Sequence, residues 1–416
     1  MADHLFRHEA GKLMAVLTRV FGTHNLQLAE DVVQDTLLKA METWKLQGLP
    51  TNPTGWLFTV AKNKALDVLR RQKTAATHAA AFSPLLQSEY TLVPTLNEWL
   101  QEDNVPDAQL RMMFVCCHPA LNAEAQVALI LKTLCGFSVA EVAKAFITAP
   151  DTIEKRLYRA KQQFKDRAII FEMPTAQELG ERLDIVLAAI YFIFNEGYNA
   201  ARHDSLVRTD LMEEAMRLAN MLVTQPVTQH PKINALLALF CFNASRSDAR
   251  LDEAGNILLL EQQDRSRWNR SLIAQGIRLL EQSTGSNEAS RYHLEAMIAY
   301  EHAVAPTYAQ TNWGSIIAYY NILYRINPSP IVALNQAIAI GEKDGPAAAI
   351  QAIEQIPDAQ RLQQYYLLPA VLGEMHARLN DKQAAISYLT TAFNLTQSAA
   401  EKKLLQRKLD DLQTIP

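Results

Sequence analysis

The stretch Asn52-Pro-Thr-Gly-Trp-Leu-Phe-Thr-Val-Ala-Lys-Asn-Lys-Ala-Leu-Asp-Val-Leu-Arg-Arg71 decides how the chain is read. Asn52 is a cap-like residue ahead of a proline suited to a first helical turn, and apolar residues then recur at intervals of three and four. Leu57, Ala61, Ala65 and Val68 share the inward face of the helix this predicts, while Lys62, Asn63, Lys64, Asp67, Arg70 and Arg71 occupy its other faces. A basic strip on a rigid helix can track phosphates, and Asn63 with Trp56 or Phe58 can hydrogen-bond to, or stack on, an unpaired base. On composition alone, a solvated surface helix with a core tryptophan explains the stretch equally well.

The same periodicity runs outward in both directions. Helical patterns cover about 3–23, 27–46 and 53–72, and period-two Val/Ile/Thr runs are almost absent, so the expected class is all-α. In the second helix Glu30, Asp31, Gln34 and Asp35 lie at i, i+1, i+4 and i+5, an acidic, hydrogen-bonding ridge suited to a basic partner helix. The net charge of −4 hides a sharp alternation. Gly55 to Lys73 carries five basic residues and one acid, whereas Thr74 to Leu110 carries no lysine or arginine and five acids, Glu89, Glu98, Glu102, Asp103 and Asp107. With Pro84, Pro94 and Pro106, that stretch reads as an acidic linker over 74–107 with short helices at Ala75–Ala81 and Leu96–Gln101. Thr74 to Leu110 would reach roughly 120 Å if fully extended.

A block of short helices follows over 108–168. Ser138-Val-Ala-Glu141 is a capping box opening one helix, and Thr148-Ala-Pro-Asp151 repeats that chemistry just beyond its end. Two capped helices so closely joined cross steeply, which presents the second to a DNA groove. Ile153, Leu157, Ala160 and Phe164 would face the core, leaving Thr152, Glu154, Lys155, Arg156, Arg159 and Lys161 for DNA. Arginine suits guanine edges, glutamate suits cytosine amino groups, and lysine grips phosphate.

From 169 to 416 the charge is mixed and amphipathic helices continue, broken near Pro226, Pro231, Thr284 to Asn287, Pro306 and Pro328 to Pro330. Ala348-Ala349-Ile350 with Ile353 returns 36 residues later as Ala384-Ala385-Ile386 with Leu389, close to the period of tetratricopeptide (TPR) helix pairs, so TPR-like repeats are expected at about 310–400. Cys116, Cys117, Cys135 and Cys241 lack metal-ligand spacing and read as buried apolar thiols. No apolar run of membrane length and no leader at Met1 are seen, so a cytoplasmic protein is expected. The sequence offers no nucleophile-base pairing, phosphate loop or zinc-protease pattern, so neither catalysis nor a cofactor or metal is expected. Polar clusters such as Glu196 with Asp264, Arg265 and Arg267 are expected to be salt-bridged helix packing.

The 52–71 string resembles the region of sigma-70 family factors that melts and reads the promoter minus-ten element, in the pattern of their extracytoplasmic-function (ECF) members. Ala29-Glu-Asp-Val-Val-Gln-Asp-Thr36 resembles the helix with which that family docks on the β′ clamp of core RNA polymerase. Thr152-Ile-Glu-Lys-Arg-Leu-Tyr-Arg-Ala160 resembles the recognition helix of sigma region four, although Phe146-Ile-Thr-Ala149 stands where the family often has a glycine. The resemblance implies region two at 1–73 and region four at 108–168, with promoter DNA and the β′ clamp and β flap of polymerase as partners. Glu30, Asp31, Gln34 and Asp35 would bind the clamp; Trp56, Lys62, Asn63, Lys64, Asp67, Arg70 and Arg71 would read the minus-ten element; Thr152, Glu154, Lys155, Arg156, Arg159 and Lys161 would serve the minus-thirty-five element. In the family the linker threads toward the RNA exit path. Phe194-Asn-Glu-Gly-Tyr198, Asp264-Arg-Ser-Arg-Trp268 and Pro328-Ser-Pro330 look like strings of a subgroup with a long helical extension in place of a conventional anti-sigma partner. That extension is expected to regulate activity through protein or intramolecular contacts. A TPR-type adaptor, a free-standing helix-turn-helix regulator and an enzyme built on 190–270 are the rival readings.

Overall fold

A computed structural model describes residues 2–74, 94, 95, 98, 105–146, 148–198, 208–285 and 289–414. These residues are mostly helical and contain no strand; Leu251 and Ile257 form an isolated antiparallel bridge. The chain is all-α, as its periodicity predicts. It divides into two compact units, Met1–Phe192 and Ile193–Pro416.

The first unit opens with α1 (Ala2–Phe21), α2 (Leu26–Gln47) and α3 (Pro53–Thr74). Asn52 Oδ1 accepts the Gly55 amide at 2.8 Å, holding the start of α3 just where Pro53 supplies the first turn. Leu13, Met14, Val16, Leu17, Val20 and Phe21 of α1 are at most 3 % exposed. α1 packs against α2 and α3 and also against α4 (Val105–Cys116) and α5 (Ala123–Thr133), so both halves of the unit share it. Two glycines permit that sharing. A Cβ on Gly11 would lie 2.0 Å from the Leu134 carbonyl oxygen. At Gly136, whose φ is +67°, a Cβ would lie 2.4 Å from the Arg7 carbonyl oxygen.

The helix-turn-helix is α6 (Val139–Ala145) and α7 (Pro150–Asp166). The Ser138 amide donates to Glu141 Oε2 at 2.8 Å and the Glu141 amide to Ser138 Oγ at 3.2 Å, the capping box expected there. Ser138→Ala should cost about 1 kcal/mol, read as a lower urea midpoint at unchanged slope. The second expected box does not form. Pro150 sits in the first turn of α7, so Ala149 takes the cap position without a side-chain bond, and the Thr148 amide donates instead to the Ala143 carbonyl at 3.0 Å. α4 begins at Val105, inside the expected linker, and Asp107 pairs with Arg111 at 2.8 Å and Arg19 at 3.6 Å. The expected helix at 75–81, most of that at 96–101, and Glu89, Glu102 and Asp103 lie outside the described residues.

The division between units falls within α8 (Ala176–Tyr198). α9 (Thr209–Thr224), α10 (Pro231–Ala244), α11 (Arg270–Gln282) and α12 (Arg291–Val304) follow in the second unit, with α10 at its centre: Ile233 and Ala235 to Phe242 are at most 4 % exposed. Then come α13 (Trp313–Ile326), α14 (Pro330–Asp344), α15 (Pro346–Glu354), α16 (Leu367–Arg378), α17 (Lys382–Leu395) and α18 (Ala399–Thr414). Each packs chiefly on its neighbours in sequence. The 36-residue echo marks equivalent positions of the pairs α14–α15 and α16–α17: Ala349 and Ala385 are both 0 % exposed, Ile353 and Leu389 5 % and 1 %. The turns within those pairs carry positive φ, +96° at Gly345 and +60° at Asn380.

Candidate functional site

On α2, Ala29, Val32, Val33, Thr36 and Ala40 are buried, which leaves Asp31, Gln34 and Asp35 exposed on the opposite face. Glu30 departs from the predicted ridge. It lies four residues after buried Leu26 and three before buried Val33, on the inward stripe, and is 8 % exposed. Its Oε2 accepts from Lys161 Nζ at 2.6 Å. Sequence reading missed two residues here: Leu38 and Met41, 56 % and 58 % exposed, continue the Asp31–Gln34–Asp35 stripe toward the helix C-terminus. An apolar pair following an acidic ridge on a solvent face was the available clue.

On α3, Leu57, Ala61 and Ala65 are buried as expected, but Val68 is only half-buried and the face instead includes Phe58, Leu66 and Leu69. Phe58, 8 % exposed, is therefore not placed to stack on a base. Trp56 is half-buried with its ring 5.4 Å from Trp44, which stacks on Phe6 at 5.2 Å. Asn63, Asp67, Arg70 and Arg71 are exposed, while Lys62 and Lys64 are half-buried. Lys64 lies 3.2 Å from Asp35, linking the α3 strip to the α2 ridge.

On α7, Ile153, Leu157, Ala160 and Phe164 are all buried, so the predicted register is the observed one. Thr152, Glu154, Lys155 and Arg159 project to solvent, with Tyr158, 69 % exposed, between Lys155 and Arg159; its hydrophobicity kept it off the predicted surface. Arg156 and Lys161 are engaged within the unit. Arg156 pairs with Glu124 and lies 5.0 Å from the Phe146 ring, which stacks on Phe192 at 5.6 Å. Phe146 thus fills the turn where a glycine would leave space. Lys161 reaches Gln27 Oε1 at 2.9 Å as well as Glu30. Arg7 and Glu141 form another bridge between α1 and the helix-turn-helix, at 2.5 Å.

In the second unit Asp264, Arg265 and Arg267, three of the four residues expected to form salt-bridged packing, bond to backbone groups instead of to one another. Asp264 Oδ1 accepts the Ser266 amide at 2.9 Å, and Arg265 Nη1 donates to the carbonyls of His302 and Ala305, each at 2.7 Å. Short polar side chains at turns satisfy backbone first, which separates these charges. All four cysteines are buried; burial pushes the Cys116 and Cys241 thiols up to about 12 and Cys117 well up. Among the described residues no three His, Cys, Asp or Glu side chains are grouped to hold a metal, and no helix is long and apolar enough to cross a membrane.

Comparison with known proteins places family matches on these surfaces. Residues 5–75 match sigma-70 region 2, 111–164 match sigma-70 region 4, and 182–284 match a family of unknown function, DUF6596. An uncharacterised protein of Rhizobium meliloti (strain 1021) is 35 % identical over 97 % of this chain and 94 % of its own length. The ECF RNA polymerase sigma factor SigL of Mycobacterium tuberculosis is 31 % identical over 36 % of this chain and 76 % of its own. SigE of Mycolicibacterium smegmatis, likewise an ECF RNA polymerase sigma factor, is 26 % identical over 42 % of this chain and 64 % of its own. No solved structure gives a significant match.

Proposed function

Because this chain belongs to the ECF sigma factors of RNA polymerase, we propose that it docks on the core enzyme through α2 and reads promoter DNA through α3 and α7. The observation that carries this reading is the solvent exposure of three distinct surfaces in the order the function needs. Asp31, Gln34 and Asp35 with Leu38 and Met41 offer the β′ clamp a charged ridge beside an apolar patch. Asn63, Asp67, Arg70 and Arg71, with Lys62, Lys64 and the half-buried Trp56, face the minus-ten strand. Thr152, Glu154, Lys155 and Arg159 face the minus-thirty-five duplex, and Arg156 and Lys161 join them once released.

That release is a physical requirement. Elements named for positions about 25 base pairs apart are separated by roughly 85 Å at 3.4 Å per pair. Lys161 of α7 is 2.6 Å from Glu30 of α2. The arrangement described is therefore a closed, resting form, and promoter engagement parts α7 from α2, with the segment between α3 and α4 as tether. In this reading the tether's acids follow the basic path toward the RNA exit channel, and region four seats on the β flap. Deleting Ser83 to Val93 should then lower transcription in vitro. The second unit, with its TPR-like helix pairs, regulates activity through protein or intramolecular contacts, so a chain ending at Phe192 should respond differently from the whole. The factor works in the cytoplasm, where core polymerase is found.

Run-off transcription with purified core enzyme tests the DNA reading. Arg159→Ala removes an exposed recognition-helix cation and should lower promoter-specific product about tenfold or more without loss of core binding. Unchanged product would remove α7 from promoter reading.

A further inference from the structure

The segment between α10 and α11 carries Arg246, Arg250, Arg265 and Arg267, and their hydrogen-bond acceptors among the described residues are all neutral. Arg246 donates to Asn243 Oδ1 at 3.2 Å, Arg250 to the Tyr198 carbonyl, Arg265 to two carbonyls and Arg267 to the Asp248 carbonyl at 2.5 Å. Arg246 and Arg250 share one aromatic neighbour, their guanidinium carbons 5.7 and 4.0 Å from the Tyr198 ring centre. Arg265 lies 4.5 Å over Trp268, and its turn packs on the Ser247–Ala249 turn that separates Arg246 from Arg250. Of the segment's five acids, Asp248, Glu253 and Glu261 are exposed and the other two serve their own turns. Asp252 accepts the Ala254 and Asn256 amides at 2.9 and 2.8 Å, and Asp264 caps Ser266.

Carbonyls and ring faces orient guanidinium groups but do not cancel their charge, and gathering several partly desolvated like charges is costly unless an anion joins them. Arg265 Nη2, Trp268 Nε1 and Ser247 Oγ are moreover buried without hydrogen-bond partners, all on the two packed turns. Burial and the fields of Arg246 and Arg265 push the His302 imidazole down to about 3, so it adds no competing cation. Arg250 and Tyr308 line a cavity of about 800 Å³, the size of a small-molecule site. Its carboxylates Glu342, Glu374 and Glu401 are bonded to Arg378, Lys408 and Tyr366, and Glu261 is exposed.

We propose that the second unit binds a small molecule through an oxyanion, a phosphate or carboxylate group, seated at Arg246, Arg250 and Arg265, with its remaining atoms in the adjoining cavity. The planar fork of arginine suits such a group, and Ser247 and Trp268 supply the further donors. The inference does not depend on the promoter reading. Calorimetric titration and thermal unfolding of the full chain with inorganic phosphate and with acetate, against chloride at matched ionic strength, test it. Saturable binding and a raised Tm are expected with at least one oxyanion, and which one identifies the head group. Arg246→Gln should weaken that binding at least tenfold, whereas Arg217→Gln, in α9 and paired with Glu214, should leave it unchanged. Arg265→Gln should act like Arg246→Gln; because it also loses two carbonyl bonds, the decisive comparison is Arg246→Gln with wild type, both checked for helix content. Binding of neither oxyanion beyond chloride, or undiminished binding by Arg246→Gln, would overturn the proposal.

Discussion

Asp31→Arg/Asp35→Arg should lose stable association with core RNA polymerase, its affinity falling about 100-fold or more in a pull-down or titration. Both carboxylates are exposed, so replacing them does not disturb the core of the first unit. Their own contacts, Gln27 to Asp31 at 3.0 Å and Lys64 to Asp35 at 3.2 Å, are exposed and worth about 1 kcal/mol or less each. The fold should therefore survive while attraction at a basic partner helix becomes repulsion. Retention of wild-type binding would move the docking surface off α2, and the exposed Leu38 and Met41 would need another explanation.

Gly11→Ala should release α7 from α2. The added methyl would meet the Leu134 carbonyl at 2.0 Å, a backbone atom that cannot rotate away, so α1 must withdraw from the end of α5. Within α1 itself alanine is the better helix former by about 1 kcal/mol, so the substitution strains the shared interface rather than the helix. In two-state terms, a chain that reads DNA only when open has its promoter affinity reduced by its open fraction. The variant should show a larger radius of gyration by small-angle X-ray scattering and about tenfold more promoter-specific product at limiting factor. A larger radius with unchanged transcription would mean that the closed form places no limit on activity, and an unchanged radius that Gly11 does not hold α7 on α2.

Much of this was legible in the sequence, and each failure has a physical cause. The register of α7 followed from Ile153, Leu157, Ala160 and Phe164, because local amphipathicity fixes which way a short helix faces. The first capping box was likewise local. Glu30 was misplaced on the surface because its partner, Lys161, lies 131 residues away, and composition does not reveal long-range pairing. The expected face of α3 was too narrow for a helix packed on both α1 and α2, which also buries Phe58, Leu66 and Leu69. Asp264, Arg265 and Arg267 were misread because opposite charges close in sequence suggest salt bridges, whereas turn geometry sent the Asp264 carboxylate to an amide and the guanidiniums to carbonyls.

The buried cysteines carry a consequence for chemistry with oxidants. A thiol held at about pKa 12, as at Cys116 and Cys241, is thiolate in roughly one molecule in thirty thousand at pH 7.5, and the thiolate is the species that reacts. Cys117 and Cys135 are equally enclosed, 0 % and 1 % exposed. While folded, the factor should therefore react slowly with peroxide and with maleimide at its own sulfurs. A cysteine placed on the outer face of α2 and another on that of α7 would then be the only thiols to take up a spin label or fluorophore, and the distance between the two probes would report opening directly.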